Sequence, residues 1–436
     1  MNLNPTGLGL AVLRRVAANP WLQRSGLGPR FDRLIYHGSR AGFAAATAGN
    51  RAFKAVRSMS TPGRPPGIDP AGVFDLTPTD DQTMLREAAA RFAGERLRRA
   101  AAEADETCTA PAELLDEAAG LGLASLSVPE ELDGAGAEHS AVTGALIAEA
   151  LAHGDMGLAL ACLAPVSAAN ALLRWGTGAQ QAAYLAPFAG EQPPAAAIAA
   201  AEDRPLFDPL SPATTAERRG DRIVLNGRKV LVPRATDAEF FLVAAGEADG
   251  GVGVYIVERS AGGLSVEPAP GMGVRGAGTG SLVLKDTTIP AGNRLGGDEG
   301  CDYPALLALS RLAWCALAAG TGQAVLDYVT DYANDRQAFG EPISHRQGVA
   351  FAIADMAIEL EGLRLATWRA AALADAGKSF TKEAAIAHRL ASRHGMAIGS
   401  WGVQLLGGHG FVKEHPVERW YRDLRAVGVM HGGACL

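Results

Sequence analysis

The chain has little cysteine, little aromatic side chain, and few asparagines or lysines. Its five cysteines (Cys108, Cys162, Cys301, Cys315 and Cys435) are scattered and odd in number. They form no CxxC pair and no Cys/His spacing that suits zinc, so neither a disulfide scaffold nor a metal site is expected. A reducing cytosol suits this cysteine usage. No uninterrupted apolar run reaches the roughly 18–20 residues that cross a bilayer, so no transmembrane helix is expected. The N-terminus lacks a compact apolar stretch followed by a small-residue cleavage site, which argues against a secretory signal. What is present is ordinary for a folded protein of two or three domains: 436 residues, 48% hydrophobic and 20% charged. Alanine is abundant and loses no side-chain entropy in a helix, so most of the chain is expected to be helical.

The net charge of −7 is unevenly spread. Residues 1–60 carry nine Arg or Lys against one acid, Asp32, a net of +8 that leaves −15 on the remainder. Two short helical patterns, about Leu8–Ala18 and Gly38–Arg57, lie in this basic leader. It suits packing on the acidic body or an acidic partner, then an anionic membrane surface, then an organelle transit peptide, in that order. The expected location is therefore cytoplasmic, with a membrane-peripheral or organelle-matrix site as the alternatives. Nucleic-acid binding is not expected, because the basic residues are confined to the leader and are not interleaved with aromatics.

Residues 61–73 form a Pro/Gly-rich linker, since Pro62, Pro65, Pro66 and the glycines among them continue neither helix nor ladder. From Asp80 to about Glu103 apolar residues recur at helical spacing. Further helices are expected at Ala112–Ala119, Ser140–Ala152, Ser167–Trp175 and Ala179–Leu185, giving an all-helical domain over 74–194. The period then changes. Arg222–Leu225 and Arg228–Val232 flank Asn226-Gly227, the dipeptide best suited to a type I′ turn, so a hairpin is expected there. With strands at Phe240–Ala244, Val252–Glu258 and Ser281–Lys285, residues 195–297 read as a small β domain. Helical periodicity returns for 298–436, with long segments near 303–335, 344–376 and 381–406 that suit a bundle.

Several motifs stand in a fixed order along these domains. They are Val128-Pro129-Glu130-Glu131, Leu225-Asn226-Gly227-Arg228-Lys229, Gly273-Val274-Arg275-Gly276, Ile289-Pro290, Arg311, Arg336-Gln337-Ala338-Phe339-Gly340, a stretch from Gln347 to Met356, Gln404-Leu405-Leu406-Gly407-Gly408-His409-Gly410, Pro416-Val417-Glu418-Arg419 and Arg422-Asp423. In this order, over about four-fifths of the chain, they resemble the acyl-CoA dehydrogenase family. The resemblance implies an α+β multidomain fold: an N-terminal helical domain, a small middle β-barrel and a C-terminal helical bundle. It also implies FAD as cofactor, an acyl-CoA-type substrate and assembly into a homotetramer, a dimer or a hetero-oligomer with a related subunit. An electron-transferring flavoprotein would be the electron acceptor.

The resemblance further implies that Arg336 meets the flavin pyrophosphate, which a planar guanidinium fork suits. Phe339, Gln347, Gln404, Gly407 and Gly408 would join it on the same cofactor, and Arg311 would lie on the substrate side. Each has a plainer reading: an arginine paired with Asp331 or Asp335, a core aromatic, an exposed amide, or a helix C-cap.

Three stretches depart from the family pattern. Ala201–Asp208 replaces a Gly- and hydroxyl-rich flavin loop, and Leu231 and Pro233 replace an aromatic and a hydroxyl. The catalytic glutamate that removes the α-proton is missing from both of its usual places, which read Ser310 and His431. His431 is the candidate base, although a histidine so near a terminus is ordinarily solvated; Glu202 is a lesser candidate and suits a loop charge. The expected activity is FAD-dependent α,β-dehydrogenation of an acyl thioester. The alternatives are a silent paralogue that completes a partner's flavin site, and a flavin-dependent monooxygenase on the same fold.

Overall fold

The computed structural model describes residues 76–136 and 140–436. The leader and linker expectations lie outside the described residues. Helix α1 (Asp80–Phe92) opens on a capping box in which Thr79 and Gln82 satisfy each other's backbone amides. It passes through a π turn, Ala93–Leu97, into α2 (Arg98–Thr107). α3 (Ala112–Ala119), α4 (Ala141–Gly154) and α5 (Met156–Trp175) complete the first helical layer. α5 starts eleven residues before the expected Ser167, because its first turns are apolar all round and show no amphipathic period. Pro165 sits inside it.

The middle of the chain is one seven-stranded sheet: β1 (Ala196–Ala199), β2 (Thr215–Arg219), β3 (Arg222–Val232), β4 (Phe240–Gly246), β5 (Val252–Glu258), β6 (Leu264–Pro268) and β7 (Gly280–Pro290). Its order is β1-β4-β2-β3-β7-β6, with β5 antiparallel to β4. Its own core gathers Phe241, Val243, Tyr255, Leu282 and Ile289.

The hairpin expected at Asn226-Gly227 does not form. β3 runs straight through the dipeptide, and the turn lies earlier, at Gly220–Asp221 between β2 and β3. Asn226 and Gly227 instead form an irregularity in the ladder to β7. There the Asn226 side chain bonds Asp286 through both its amide nitrogen and its oxygen. A Cβ on Gly227 would come within 2.5 Å of Thr214. Tertiary contact thus consumes the residues that would have turned.

The C-terminal bundle holds α6 (Tyr303–Asp335), α7 (Gln347–Asp375), α8 (Thr381–Leu406) and α9 (Val417–Ala426). α5 and α6 are each long and apolar enough to span a bilayer, contrary to the expectation from uninterrupted runs. However, 78% and 89% of their apolar windows are buried within the protein. α6 crosses α4 so closely that a Cβ on Gly320 would stand 2.0 Å from the Glu149 carbonyl oxygen. Polar ties fix the remaining contacts. The Asp375 carboxylate, at the end of α7, accepts from the Ala141 amide at 2.6 Å and so caps α4 from another helix. From α9, Arg422 donates twice to Asp105 of α2, at 2.8 Å each. Asp423 accepts the Val274 amide at 2.6 Å. α9 therefore joins the bundle, the sheet and the first helical layer at one junction.

Candidate active site

The positions that matter chemically fall into two groups at opposite ends of α6. The inner group forms around Ser310. Tyr303, Leu307, Ser310 and Trp314 recur on one face of α6, and the turn Met430–Gly433 lies against that face. Trp314 Nε1 donates to the Gly432 carbonyl at 2.9 Å, and the Gly432 amide donates to Ser310 Oγ at 3.1 Å. The Gly433 amide reaches the Ile198 carbonyl at 3.1 Å, at the end of β1. Gly432 and Gly433 are both left-handed (φ 73° and 75°), and a Cβ on Gly432 would lie 2.9 Å from Ala200, so this turn needs glycine for conformation and for space. Ser310 and His431, the two positions where the family places its base, are thus brought together.

His431 is not a solvated tail residue. Its ring packs edge-on to Phe207 with centroids 5.8 Å apart and stands 6.3 Å from the His388 ring of α8. Burial, then the neighbouring His388 and Arg311, lower its pKa to about 4 against the partial pull of Asp208, so the imidazole is neutral at neutral pH. His388 is lowered too, mainly by burial, and bonds the Val427 carbonyl at 2.9 Å. As pH falls from about 6.5 to about 4, the unfolded chain takes up a proton that the folded His431 refuses, so stability is expected to fall in that window. His431→Gln should flatten this part of a plot of urea midpoint against pH. An unchanged slope would show that His431 is not the group responsible.

Three polar atoms around this turn are buried without a hydrogen-bond partner: Tyr303 Oη, Arg311 Nε and His431 Nδ1. Buried polar atoms left without a partner are ones that a water, an ion or a polar ligand can satisfy. Leu231, at the family's aromatic position, is left-handed with φ 56°, a strained state for a branched residue and one that strained functional loops share. Pro233 packs against Gly433 and has no amide hydrogen to offer.

Glu202 is neither a base nor a loop charge. It is buried, and its carboxylate accepts from Lys229 Nζ at 2.8 Å and from the Ala213 and Thr214 amides at 2.7 and 2.9 Å. Burial pushes its pKa up, but Lys229 and Thr214 more than offset this and hold it below the ordinary value. Lys229 is fully buried and is drawn down to about 8 by burial, against the pull of Glu202. The pair closes the base of the loop 203–212, whose tip carries a fully exposed, left-handed Leu206. Sequence reading missed Lys229, although period-two alternation from Ile223 and Leu225 places it inward. His388 and Tyr303 carried no local signal.

The outer group lies at the far end of α6. Arg336 caps that helix, and its guanidinium forms no ion pair with Asp331 or Asp335. Phe339 is 96% exposed and left-handed, with the Arg346 guanidinium 5.5 Å from its ring, so it is no core aromatic in this chain. The end of α8 meets this end of α6 where Tyr332 Oη and His409 Nδ1 hydrogen bond at 2.8 Å. Gln347, Gln404, Gly407 and Gly408 are all exposed here. Gly407 is a helix C-cap with φ 59°, as the plainer reading held. Gly408 has no such need, and a Cβ on it would meet nothing within 4 Å. The fold itself does not require glycine there, which leaves the backbone open to close approach by another group.

From Ser310 to Arg336 is about 39 Å along a continuous helix at 1.5 Å per residue. One extended dinucleotide cannot bridge both groups within a single chain.

Comparison with known proteins agrees with this architecture. Profiles of the N-terminal, middle and C-terminal domains of acyl-CoA dehydrogenase match residues 79–192, 197–287 and 304–434. The mitochondrial short-chain specific acyl-CoA dehydrogenase of Bos taurus is 35% identical, over 80% of this chain and 86% of its own length. The solved butyryl-CoA dehydrogenase of Megasphaera elsdenii superposes with a TM-score of 0.76 at 30% identity, covering 83% of this chain and 96% of its own. An FAD complex of PigA gives a TM-score of 0.75 at 27% identity, covering 82% and 95%. Three consecutive domain profiles and a relative at this identity and coverage settle the family: the chain is a member of the acyl-CoA dehydrogenases.

Proposed function

We propose that this chain is an FAD-dependent oxidoreductase acting on an acyl thioester, with its flavin held between two subunits. The observation that carries the reading is the division of the site. A buried group of polar atoms at one end of α6 has no partner among the described residues, and an exposed group of flavin-binding type stands about 39 Å away. A second copy, or a related subunit, unites the two. The residues present fit FAD: Arg336, Gln404, Gly407 and Gly408 would hold the pyrophosphate and adenosine side, with Phe339 and Gln347 beside them. FAD, when bound, supplies a hydride acceptor for the β-carbon of the acyl group.

This chain's residues do the rest. The neutral His431 imidazole is in the state that accepts a proton, and the Ser310 and Trp314 bonds to Gly432 hold the adjoining backbone. Phe207 and the 203–212 loop cover the imidazole from one side. The family's electron acceptor, an electron-transferring flavoprotein, is the proposed partner. A proton acceptor near pKa 4 is a weak base, and Pro233 removes a donor, so a subunit that only completes a partner's flavin remains the competing reading.

The deciding experiment is the visible spectrum of the purified chain, with released flavin quantified and acyl-CoAs added without oxygen. Flavin that bleaches with an acyl-CoA, together with α-proton exchange lost in His431→Ala, is the expected result. A colourless protein would transfer the assignment to the completing subunit.

A further inference from the structure

Behind His431 the chain carries a wall that neither the acyl-thioester reading nor the flavin groups explain. Gly432 to Leu436 are all buried, and Ala434–Leu436 runs inward among α4, α5 and α6. Side chains anchor it from α5. The Cys435 amide donates to Ser167 Oγ at 2.8 Å, and Asn170 Nδ2 donates to the Cys435 carbonyl at 3.1 Å. Asn170 is itself fixed by Ser127 at 2.6 Å. Leu436 packs over Gly144 of α4, where a Cβ would meet its side chain at 3.3 Å.

A cavity of about 560 Å³ lies against this segment, bounded also by Leu123, Leu126, Ile147, Leu163 and Val166. That volume is in the range of small-molecule sites, and the lining is more apolar than polar, with Asp81, Gln82 and Thr143 also on it. Ala313 lines it as well and sits one helical turn beyond Ser310, the residue that binds Gly432. The cavity therefore begins one turn of α6 away from the His431 turn, with Ala434–Leu436 along its wall.

We propose that Ala434–Cys435–Leu436 sets the acyl-chain length this protein takes, by closing the cavity off from the His431 side so that short acyl thioesters bind and long ones are excluded. The proposal rests on the acyl-thioester reading above. Its physical basis is that each methylene given a buried apolar position tightens binding about fourfold, so a chain that reached the cavity would gain affinity with length.

The test titrates the FAD-loaded full chain with butyryl-CoA and with dodecanoyl-CoA by calorimetry, alongside Leu436→Ala, Ser167→Ala and a form lacking Ala434–Leu436. The intact chain is expected to favour butyryl-CoA. Leu436→Ala should raise the ratio of dodecanoyl to butyryl affinity about fourfold, and removal of the three residues about tenfold or more. Leu436→Ala keeps the backbone hydrogen bonds of the segment, so the result does not depend on the shortened form folding, and Ser167→Ala, which removes the anchor of the Cys435 amide, should raise the ratio in the same direction. An unchanged ratio in Leu436→Ala with an intact unfolding transition would overturn the wall, as would an intact chain that binds dodecanoyl-CoA as tightly as butyryl-CoA. Failure of the folded, FAD-loaded chain to bind either thioester would overturn the acyl-thioester reading, and the wall with it.

Discussion

Lys229→Met is expected to destabilise the chain by about 3–5 kcal/mol, the cost of leaving one member of a buried ion pair without the other. Lys229 has no exposed surface, and its ammonium lies 2.8 Å from Glu202 and 3.2 Å from the Ala200 carbonyl. Without it, the Glu202 carboxylate would keep its two backbone donors and the more distant, partly exposed Arg204 guanidinium at 3.9 Å, but lose its close cation in a buried site. The same carboxylate closes the 203–212 loop through Ala213 and Thr214, so the damage should spread to that loop and to Phe207 against His431. The double variant Lys229→Met/Glu202→Leu should recover much of the loss, because paired apolar replacements remove both desolvation penalties. Urea unfolding of the two single variants and the double would measure the coupling. A loss under about 1 kcal/mol in Lys229→Met, the range of a surface pair, would mean that solvent reaches the pair.

Arg336→Ala is expected to act on flavin retention and hardly at all on folding. The guanidinium is exposed and forms no ion pair among the described residues, so its removal should leave the unfolding midpoint within the small range of surface substitutions. A charge-assisted bond to phosphate is worth about 1.5–3 kcal/mol, or roughly 10- to 150-fold in the FAD dissociation constant. Because Arg336 and the Ser310 turn serve different flavins in the proposed assembly, complementation is also expected. Chains bearing Arg336→Ala, refolded with chains blocked at the inner group by Leu231→Arg, should form hybrids that hold flavin more tightly than either parent. Equal flavin content in Arg336→Ala and the unaltered chain would remove this arginine from the site.

Much of this protein was readable before its structure. The long periodic segments of the bundle, the helices at Ala112–Ala119 and Ser140–Ala152, and the strands at Phe240–Ala244 and Val252–Glu258 all stand near where the residue patterns put them. Patterns failed where the period vanished. α5 is apolar on every face and contains Pro165, so its first turns looked like anything buried. Asn226-Gly227 was misread because turn propensity is a local preference of well under the energy that pairing with β7 and contact with Thr214 bring together.

The site was half legible for a similar reason. Arg336 and Gln404–Gly408 each belong to a contiguous motif that sequence can show, although only the fold brings the two motifs, 68 residues apart, to one end of α6. The inner group is assembled from α6, α8, the end of β1, the 203–212 loop and the turn Met430–Gly433, and no window of sequence contains it. His388 shows this best, since it lies 43 residues before His431 and only 6.3 Å away, ring to ring.

Composition, period and motif order by themselves determined the domain sequence, the helical character and the family, because these depend on local propensity and on contiguous residues. Whether Glu202 was free or paired, whether His431 was wet or dry, and whether Ala434–Leu436 trailed in solvent or walled a cavity were decided only by tertiary structure. Burial sets the charge state and the available space at each of these positions. Burial is a property of what surrounds a residue in three dimensions, which the neighbouring letters do not specify.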